Sequence, residues 1–131
     1  MVLAVAGMAA DLDLLFALHR GPTHGIGVAC LVGIVAYLAT RRRYLAIAVA
    51  AAYASHTLLD WLGTDSTAPI GIMALWPFSR AYYESSLHIF HAISRRYWLQ
   101  EFWTFNLFAL LRELLILGPI TVLAAYFQRK P

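Results

Sequence analysis

Hydrophobic residues along this chain form four long runs, separated by short polar or turn-forming stretches. The runs cover residues 2–18, 25–40, 44–62 and 105–127. None of them alternates with the period of two that is typical of a half-exposed strand. A helix needs about 20 apolar residues to cross a bilayer core. The last two runs reach that length, and the first two fall short of it. The pattern predicts an all-α protein, an integral membrane helical bundle of about four apolar helices.

The boundaries of the runs carry local signals. Residues 76–103 mix aromatic and charged side chains. Because Trp and Tyr concentrate where a membrane meets water, this segment predicts a short interfacial amphipathic helix. Residues 63–71 (GTDSTAPIG) are rich in turn-forming residues and predict a loop. Gly21-Pro22 ends the first run, and Thr23 is predicted to cap the N-terminus of the second helix.

Composition strengthens the membrane interpretation. The chain of 131 residues is 61% hydrophobic and only 13% charged, whereas soluble domains contain about 25% charged residues. A small single domain, here residues 1–131, cannot bury that much apolar surface within itself. A soluble oligomer with large apolar interfaces is the less favoured alternative. The net charge of +3 does not indicate a nucleic-acid partner, because the basic residues lie at the ends of apolar runs.

The positions of the arginines predict an orientation. Residues 41–43 are three arginines between the second and third runs, and Arg129 and Lys130 follow the fourth. Positive residues beside membrane helices favour the cytoplasmic side. We therefore expect a multi-pass protein of the inner (plasma) membrane, with both termini in the cytoplasm. The first run is short and acidic, so we expect three full spans and one partial helix.

Ionisable residues inside apolar helices are costly in lipid and usually mark function. Under the predicted orientation, six of them lie near the outer membrane interface, at the ends of the first three helices. They are Asp11, Asp13, His19, His24, His56 and Asp60. His56 and Asp60 are four residues apart and share one helix face. Imidazole and carboxylate donors suit zinc, and manganese or iron is also possible. The sequence therefore predicts a site for a divalent metal ion, with zinc as the favoured metal.

Three motifs in order resemble one family. The segments DLD at residues 11–13 and HRGPTH at residues 19–24 resemble the D-x-D and HRG-x-TH signature of the YdjM-like predicted membrane-bound metal-dependent hydrolases. Residues 55–60 (SHTLLD) resemble the SH-x-x-LD motif of that family, and residues 71–79 its G…L-x-PFS stretch. The similarity runs from about residue 7 to residue 79.

The resemblance implies a reaction class. The family is similar, more distantly, to the zinc-dependent phospholipase C and nuclease group, which cleaves phosphate esters with a helical His-x-x-x-Asp pair. The resemblance therefore implies hydrolysis of a phosphoester or lipid substrate. Family members usually carry an earlier apolar helix with a Thr-His, and here Met1 leads directly into the first run. The resemblance thus implies a truncated form or a shifted start, and, if the chain is complete, one metal ligand fewer than the family has.

Roles can be assigned to the six residues on this basis. The expected metal ligands are Asp13, His24, His56 and Asp60. Asp11 and His19 are the expected catalytic residues, as a further ligand and a general base or as groups that orient the ligands. Arg112 and Glu113 on the fourth run are candidates to pair with the site. The alternative is a non-enzymatic membrane protein in which the cluster forms an ion or proton relay, or only stabilises the fold.

Overall fold

The protein folds as helices joined by turns and extended segments. The structure is a computed structural model that describes residues 1–16, 20–66, 68–94 and 96–128. Throughout these residues the regular elements are helical and no β-strand forms. An isolated antiparallel bridge pairs Ile72 with Tyr83. The prediction of an all-α protein is confirmed.

The helices of the described residues follow the hydrophobic runs. In chain order they are α1 (Val2–Met8), a first 3-10 helix (Ala9–Phe16), a second 3-10 helix (Pro22–His24), α2 (Ile26–Thr40), α3 (Arg43–Leu62) and α4 (Phe102–Gln128). The first run differs from the prediction of one apolar helix, because after about two turns of α-helix it tightens into 3-10 geometry. The chain divides into two compact units. The first, Met1–His88, contains α1 to α3, and the second, Ile89–Pro131, contains α4.

Within the part of the chain that the structure describes, two helices are long and apolar enough to cross a membrane. They are α3 and α4, whose most apolar stretches have mean hydropathies of 1.4 and 2.0. α2 is also apolar but has only 15 residues. Only 17% of the apolar stretch of α3 is buried inside the protein, whereas neighbours cover most of a core helix in a soluble protein. Such exposure is unfavourable in water and acceptable in lipid, so these helices support a location in the membrane.

α2 and α3 form a tightly packed hairpin. Only Arg41 and Arg42 separate them, and so short a connection makes consecutive helices antiparallel neighbours. Arg41 ends α2 in the left-handed conformation (φ 57°), and its N–H donates to the carbonyl of Tyr37. Gly33 of α2 lies against Ala50 of α3, and a Cβ at Gly33 would be 2.9 Å from the Cβ of Ala50. The absence of a side chain at Gly33 therefore lets the two helices approach closely.

A loop, rather than a side chain, holds the N-terminus of α2. Gly25 occupies the N-cap position, and no side chain caps the helix, so the prediction of Thr23 as N-cap is wrong. The N–H of Gly27 donates to the carbonyl of Trp76 over 3.0 Å, and the N–H of Ile26 donates to the same loop over 2.9 Å. The first N–H groups of a helix have no partner within the helix. Here a neighbouring segment supplies their acceptors.

The prediction of an interfacial helix within residues 76–103 is also wrong. Before Phe102, the described part of this segment contains turns and extended backbone and no helix. Tyr83 exchanges two backbone hydrogen bonds, of 3.0 and 2.8 Å, with Ile72, and the N–H of Ser85 donates to a carbonyl at the end of α3. Backbone groups that pair with distant residues cannot also form the hydrogen bonds of a helix.

In the second unit, polar side chains join α4 to the segment that precedes it. Asn106 accepts a hydrogen bond from the N–H of Ser94 and donates one to its carbonyl, over 2.8 and 3.0 Å. Arg112 Nη1 lies 2.6 Å from His91 Nε2. A guanidinium can only donate, so this imidazole nitrogen accepts. The His91 ring also contacts Phe108, with 5.8 Å between ring centroids. The charge of Arg112, on an apolar helix, thus has a partner within its own unit.

The close approach of α2 and α3 makes a prediction. We expect Gly33→Leu to lower the free energy of unfolding by about 1–3 kcal/mol, because the new side chain must displace a packed backbone. Thermal unfolding of the detergent-solubilised protein would show this as a lower Tm. Gly118→Leu is the matched control, because a Cβ at Gly118 would meet no atom within 4 Å. An equal loss of Tm in both variants would contradict the close packing at Gly33.

Candidate metal centre

Four ionisable side chains of the first unit meet at one point. They are Asp11, His24, His56 and Asp60, and one potential ligand atom from each lies within 4.8 Å of all the others. The first 3-10 helix contributes Asp11, the second contributes His24, and α3 contributes His56 and Asp60. The sequence predicted that these residues would converge, and the structure brings all four together.

The distances within this cluster suit a single cation. Asp60 Oδ2 lies 3.0 Å from His24 Nε2 and 3.6 Å from His56 Nε2. Asp11 Oδ1 lies 3.9 Å from His24 Nε2 and 3.3 Å from His56 Nε2. Ligands held tetrahedrally at about 2.0–2.2 Å from zinc stand roughly 3.3–3.6 Å from one another. The four measured distances bracket that range, so the donors already have nearly the spacing that a metal ion requires.

Helix geometry explains how α3 supplies half of the cluster. Residues four apart in an α-helix lie above one another on one face, and His56 and Asp60 have this spacing. Their side chains are partly exposed, at 21% and 22%. His24 is fully buried, and its ring lies 5.5 Å from that of His56, measured between centroids. The cluster therefore has a buried side at His24 and a more open side along α3.

Asp13 orients His24 from the side opposite the cluster. Its buried Oδ2 accepts hydrogen bonds from the Thr23 hydroxyl (2.6 Å) and the Arg20 N–H (3.0 Å), and it lies 3.3 Å from His24 Nδ1. The Thr23 hydroxyl has a single proton, which it donates to Asp13. Toward His24 Nδ1, 3.1 Å away, that oxygen can therefore only accept. Nδ1 must carry a proton, and Nε2 is the nitrogen that faces the cluster. Histidines that bind metals are commonly held in this way.

The two aspartates of the DLD segment occupy different places. The sequence analysis assigned Asp13 as a ligand and Asp11 as a catalytic or additional group, but in the structure Asp11 is the one that lies among the imidazoles. In a 3-10 helix, which has three residues per turn, side chains two positions apart point in different directions. Asp11 thus lies near His24 Nε2 with its side chain 41% exposed, and Asp13 lies near Nδ1 with 4% exposed.

The chemistry of the donor set also fits a divalent cation. His56 Nε2 is buried and makes no hydrogen bond, although oxygens of Asp11 and Asp60 lie nearby. A buried polar atom without a partner costs about 1–3 kcal/mol, a cost that a cation bound between these atoms would remove. Two ionised carboxylates also carry the two negative charges that a divalent cation neutralises. The residues present therefore fit a metal ion.

Arg20 places a positive charge beside the cluster. Its Nη1 lies 2.8 Å from Asp65 Oδ2, and its Nη2 lies 4.0 Å from Asp60 Oδ1. The Arg20 backbone is left-handed (φ 64°), and its N–H binds Asp13. Arg20 thus contacts the oxygen of Asp60 that does not face the imidazoles. The sequence showed Arg20 only as part of the HRGPTH segment, because a pairing with Asp65 depends on the fold.

A tyrosine that the sequence analysis overlooked anchors the second 3-10 helix. Tyr53 is 2% exposed, and its hydroxyl donates to the carbonyl of Thr23 over 2.7 Å. Its ring belongs to a buried core with Ala10 and Ala29. A sequence signal for this role did exist. Tyr53 lies three residues before His56, on nearly the same side of α3, and a buried tyrosine hydroxyl usually has a partner.

Three further candidates from the sequence, His19, Arg112 and Glu113, are not among the four residues of the cluster. His19 is one of residues 17–19, which lie outside the described residues. Arg112 and Glu113 belong to the second unit, where Arg112 contacts His91. The assignment of His19 as a catalytic group stays a prediction.

Comparison with known proteins places the chain in a family. A family model described as YdjM inner membrane protein matches residues 1–130. No curated protein matches the chain, and no solved structure matches it. The chain therefore belongs to the YdjM inner membrane protein family, which confirms the family that the three motifs indicated. Together with the apolar helices α3 and α4, the family match supports a membrane location.

The different roles of the two aspartates can be tested on metal-free protein. We expect Asp13→Ala to lower the free energy of unfolding by about 1–3 kcal/mol, because it leaves the Thr23 hydroxyl and the Arg20 N–H without their acceptor. Asp11→Ala, the matched control, removes a more exposed carboxylate and is expected to leave the Tm of the metal-free protein nearly unchanged. If Asp11→Ala destabilises the metal-free protein more than Asp13→Ala does, the assignment of Asp13 as the structural anchor is incorrect.

Proposed function

Since the chain belongs to the YdjM inner membrane protein family, and its first unit carries a His/Asp cluster, we propose that it is a membrane-bound, metal-dependent hydrolase that cleaves phosphoesters. The observation that carries this proposal is the spacing of the four donor atoms, with His–Asp distances from 3.0 to 3.9 Å. Clusters of imidazoles and carboxylates with such spacing are typical of catalytic metal sites.

The ligands in this proposal are His24, His56, Asp60 and Asp11, and zinc is the favoured metal. Manganese and iron suit the same donors. When bound, a divalent cation would lower the pKa of a coordinated water molecule and withdraw charge from a phosphoryl oxygen. Asp13 is a positioning residue that holds the tautomer and the orientation of His24.

Hydrolysis of a phosphoester makes one bond, breaks another and moves protons. An oxygen of water forms a bond to phosphorus, the bond between phosphorus and the alcohol oxygen breaks, and the alcohol leaves with a proton. Asp11 is the most exposed acid of the cluster. We assign its oxygen that does not face the imidazoles to accept the proton of the attacking water. His19 is retained as the predicted second acid–base residue.

We further propose the orientation of the site in the membrane. His56 and Asp60 lie near the C-terminal end of α3, and the arginine triplet, residues 41–43, lies at its N-terminus, with Arg43 as the first residue of the helix. At 1.5 Å per residue, Asp60 is about 25 Å along the helix from Arg43, which approaches the thickness of a bilayer core. Cytoplasmic arginines would therefore place the cluster near the outer interface, in a multi-pass protein with both termini in the cytoplasm.

Metal analysis of the purified protein tests the proposal directly. We expect about one equivalent of zinc per chain after loading and dialysis, measured by inductively coupled plasma mass spectrometry. The double variant His56→Ala with Asp60→Ala is expected to lose it, because two of the four ligands are gone. His88→Ala is the control, because that histidine is 49% exposed and contacts Glu84 rather than the cluster.

Two outcomes would contradict this expectation. If the wild type binds no stoichiometric metal, the cluster is not a metal site. Its role would then be structural or that of a proton relay. If the double variant keeps its metal, the ion binds elsewhere on the chain.

The catalytic role of Asp11 makes a separate prediction. Asp11→Asn retains an oxygen that can face the metal but removes the group that accepts a proton. We expect the variant to bind metal while kcat for a phosphoester falls by about 10²–10⁴-fold, the usual contribution of a general base. Activity would be measured by phosphate release from a panel of phosphomonoesters and phosphodiesters, with Glu101→Gln as control. An unchanged kcat in Asp11→Asn would show that Asp11 is not the general base.

A further inference from the structure

An apolar cavity lies beside the metal cluster in the first unit. Its volume is about 250 Å³, and its walls come from α2, α3 and the loop that follows α3. Apart from Thr57, the lining side chains are apolar or aromatic, and they include Ile26, Ala54, Leu58, Trp61 and Ile72. The cavity is therefore suited to a hydrocarbon group rather than to a polar one.

The cavity reaches the outer surface of a membrane-spanning helix. Ala54 is exposed, and Leu58 is 52% exposed, although both residues line the cavity. Both belong to α3, one of the two helices that are long and apolar enough to cross a membrane. Hydrocarbon chains of the lipid, rather than water, border such a surface. A lipid chain can therefore enter the cavity sideways from the bilayer.

Residues that line the cavity are the direct neighbours of metal-cluster residues. On α3, Thr57 follows His56 and Trp61 follows Asp60. Consecutive residues in a helix are rotated by about 100° around its axis, so the cavity and the cluster occupy adjoining faces of the same two turns. If the phosphate of a molecule lay at the cluster, the group attached to that phosphate would thus lie at the entrance of the cavity.

The cavity wall offers a bound molecule almost no polar partner. Thr57 lines the cavity, but its hydroxyl oxygen is buried and makes no hydrogen bond. Because the cavity opens to the protein surface, an oxygen without accessible area is closed off from its interior. An extended peptide is a poor occupant, because its many N–H and C=O groups would find few partners there. An alkyl or acyl chain needs no polar partner and matches the wall.

We propose that the cavity binds the hydrocarbon chain of a lipid phosphoester whose phosphate lies at the metal cluster. This inference rests on the proposed function, because it takes the cluster as the place where the phosphate is held. It assigns Ala54, Leu58 and Thr57 as residues that select a long-chain substrate from the membrane. Soluble phosphoesters without a chain would use the same cluster with a higher KM.

Two alkyl phosphates of different length test this selection. The zinc-loaded protein in detergent would be given dodecyl phosphate or ethyl phosphate, and hydrolysis would be followed by phosphate release. We expect a KM for dodecyl phosphate that is lower by about tenfold or more, because burying each methylene contributes to affinity. Ala54→Trp fills the cavity and is expected to raise the KM for dodecyl phosphate to that for ethyl phosphate, while the zinc content shows that the metal cluster is intact. Ala51→Trp is the matched control, since Ala51 is exposed on α3 and does not line the cavity.

A second variant guards against misfolding of the first. Leu58→Trp narrows the cavity from a partly exposed position, and retained zinc would show that each variant is folded. If both variants still prefer dodecyl phosphate, the inference about the cavity is overturned. Hydrolysis by these variants would still support the proposed function.

The proposed function can also fail separately. If the wild type hydrolyses neither ester, binding of dodecyl and ethyl phosphate is measured by calorimetry. Tighter binding of dodecyl phosphate that is lost in Ala54→Trp supports the cavity assignment while the hydrolase proposal fails. Equal binding of the two esters overturns the cavity assignment as well.

Discussion

The buried carboxylate of Asp13 is the group on which the rest of the candidate site depends. An ionised carboxylate that leaves water must be compensated by hydrogen bonds, and Asp13 obtains them from Thr23 and the backbone of Arg20. Because Thr23 uses its proton on Asp13, the same contacts decide which nitrogen of His24 faces the cluster. One interaction thus joins two segments of the chain and decides which nitrogen of a candidate ligand carries the proton.

The membrane explains why this arrangement lies where it does. The first unit has a small buried core, with few fully covered side chains apart from Tyr53, Ile72 and several alanines, while long apolar side chains of α2 and α3 face outward. Small residues such as Gly33 bring these helices together, which is typical of helix contacts in lipid. Polar groups then have to find partners within the protein. Their concentration at one end of α3, beside an apolar cavity lined by exposed residues of that helix, supports the proposed chemistry on a substrate drawn from lipid.

Much of the fold could be predicted from hydrophobic periodicity, but the failures share a cause. The runs that became α2, α3 and α4 were visible because their length and apolar content depend on local sequence alone. The aromatic segment 76–103 was misjudged because its backbone pairs with Ile72 and with the end of α3. The N-cap of α2 was misjudged because a distant loop supplies the acceptors. In both cases, a long-range hydrogen bond replaced the local one that a sequence pattern suggests.

The sequence by itself determined the membrane class, the family motifs and the six candidate residues from which the cluster is drawn, because each of these follows from composition, spacing or order along the chain. His56 and Asp60 share a face through helical spacing alone. Only the tertiary structure decided that Asp11 lies at the cluster while Asp13 lies behind His24. The two side chains point in different directions because the segment is a 3-10 helix, and the sequence did not predict that helix type. The tertiary structure also decided the contact of Arg20 with Asp65, the anchor at Tyr53 and the cavity at Thr57, since each forms between segments far apart in the chain.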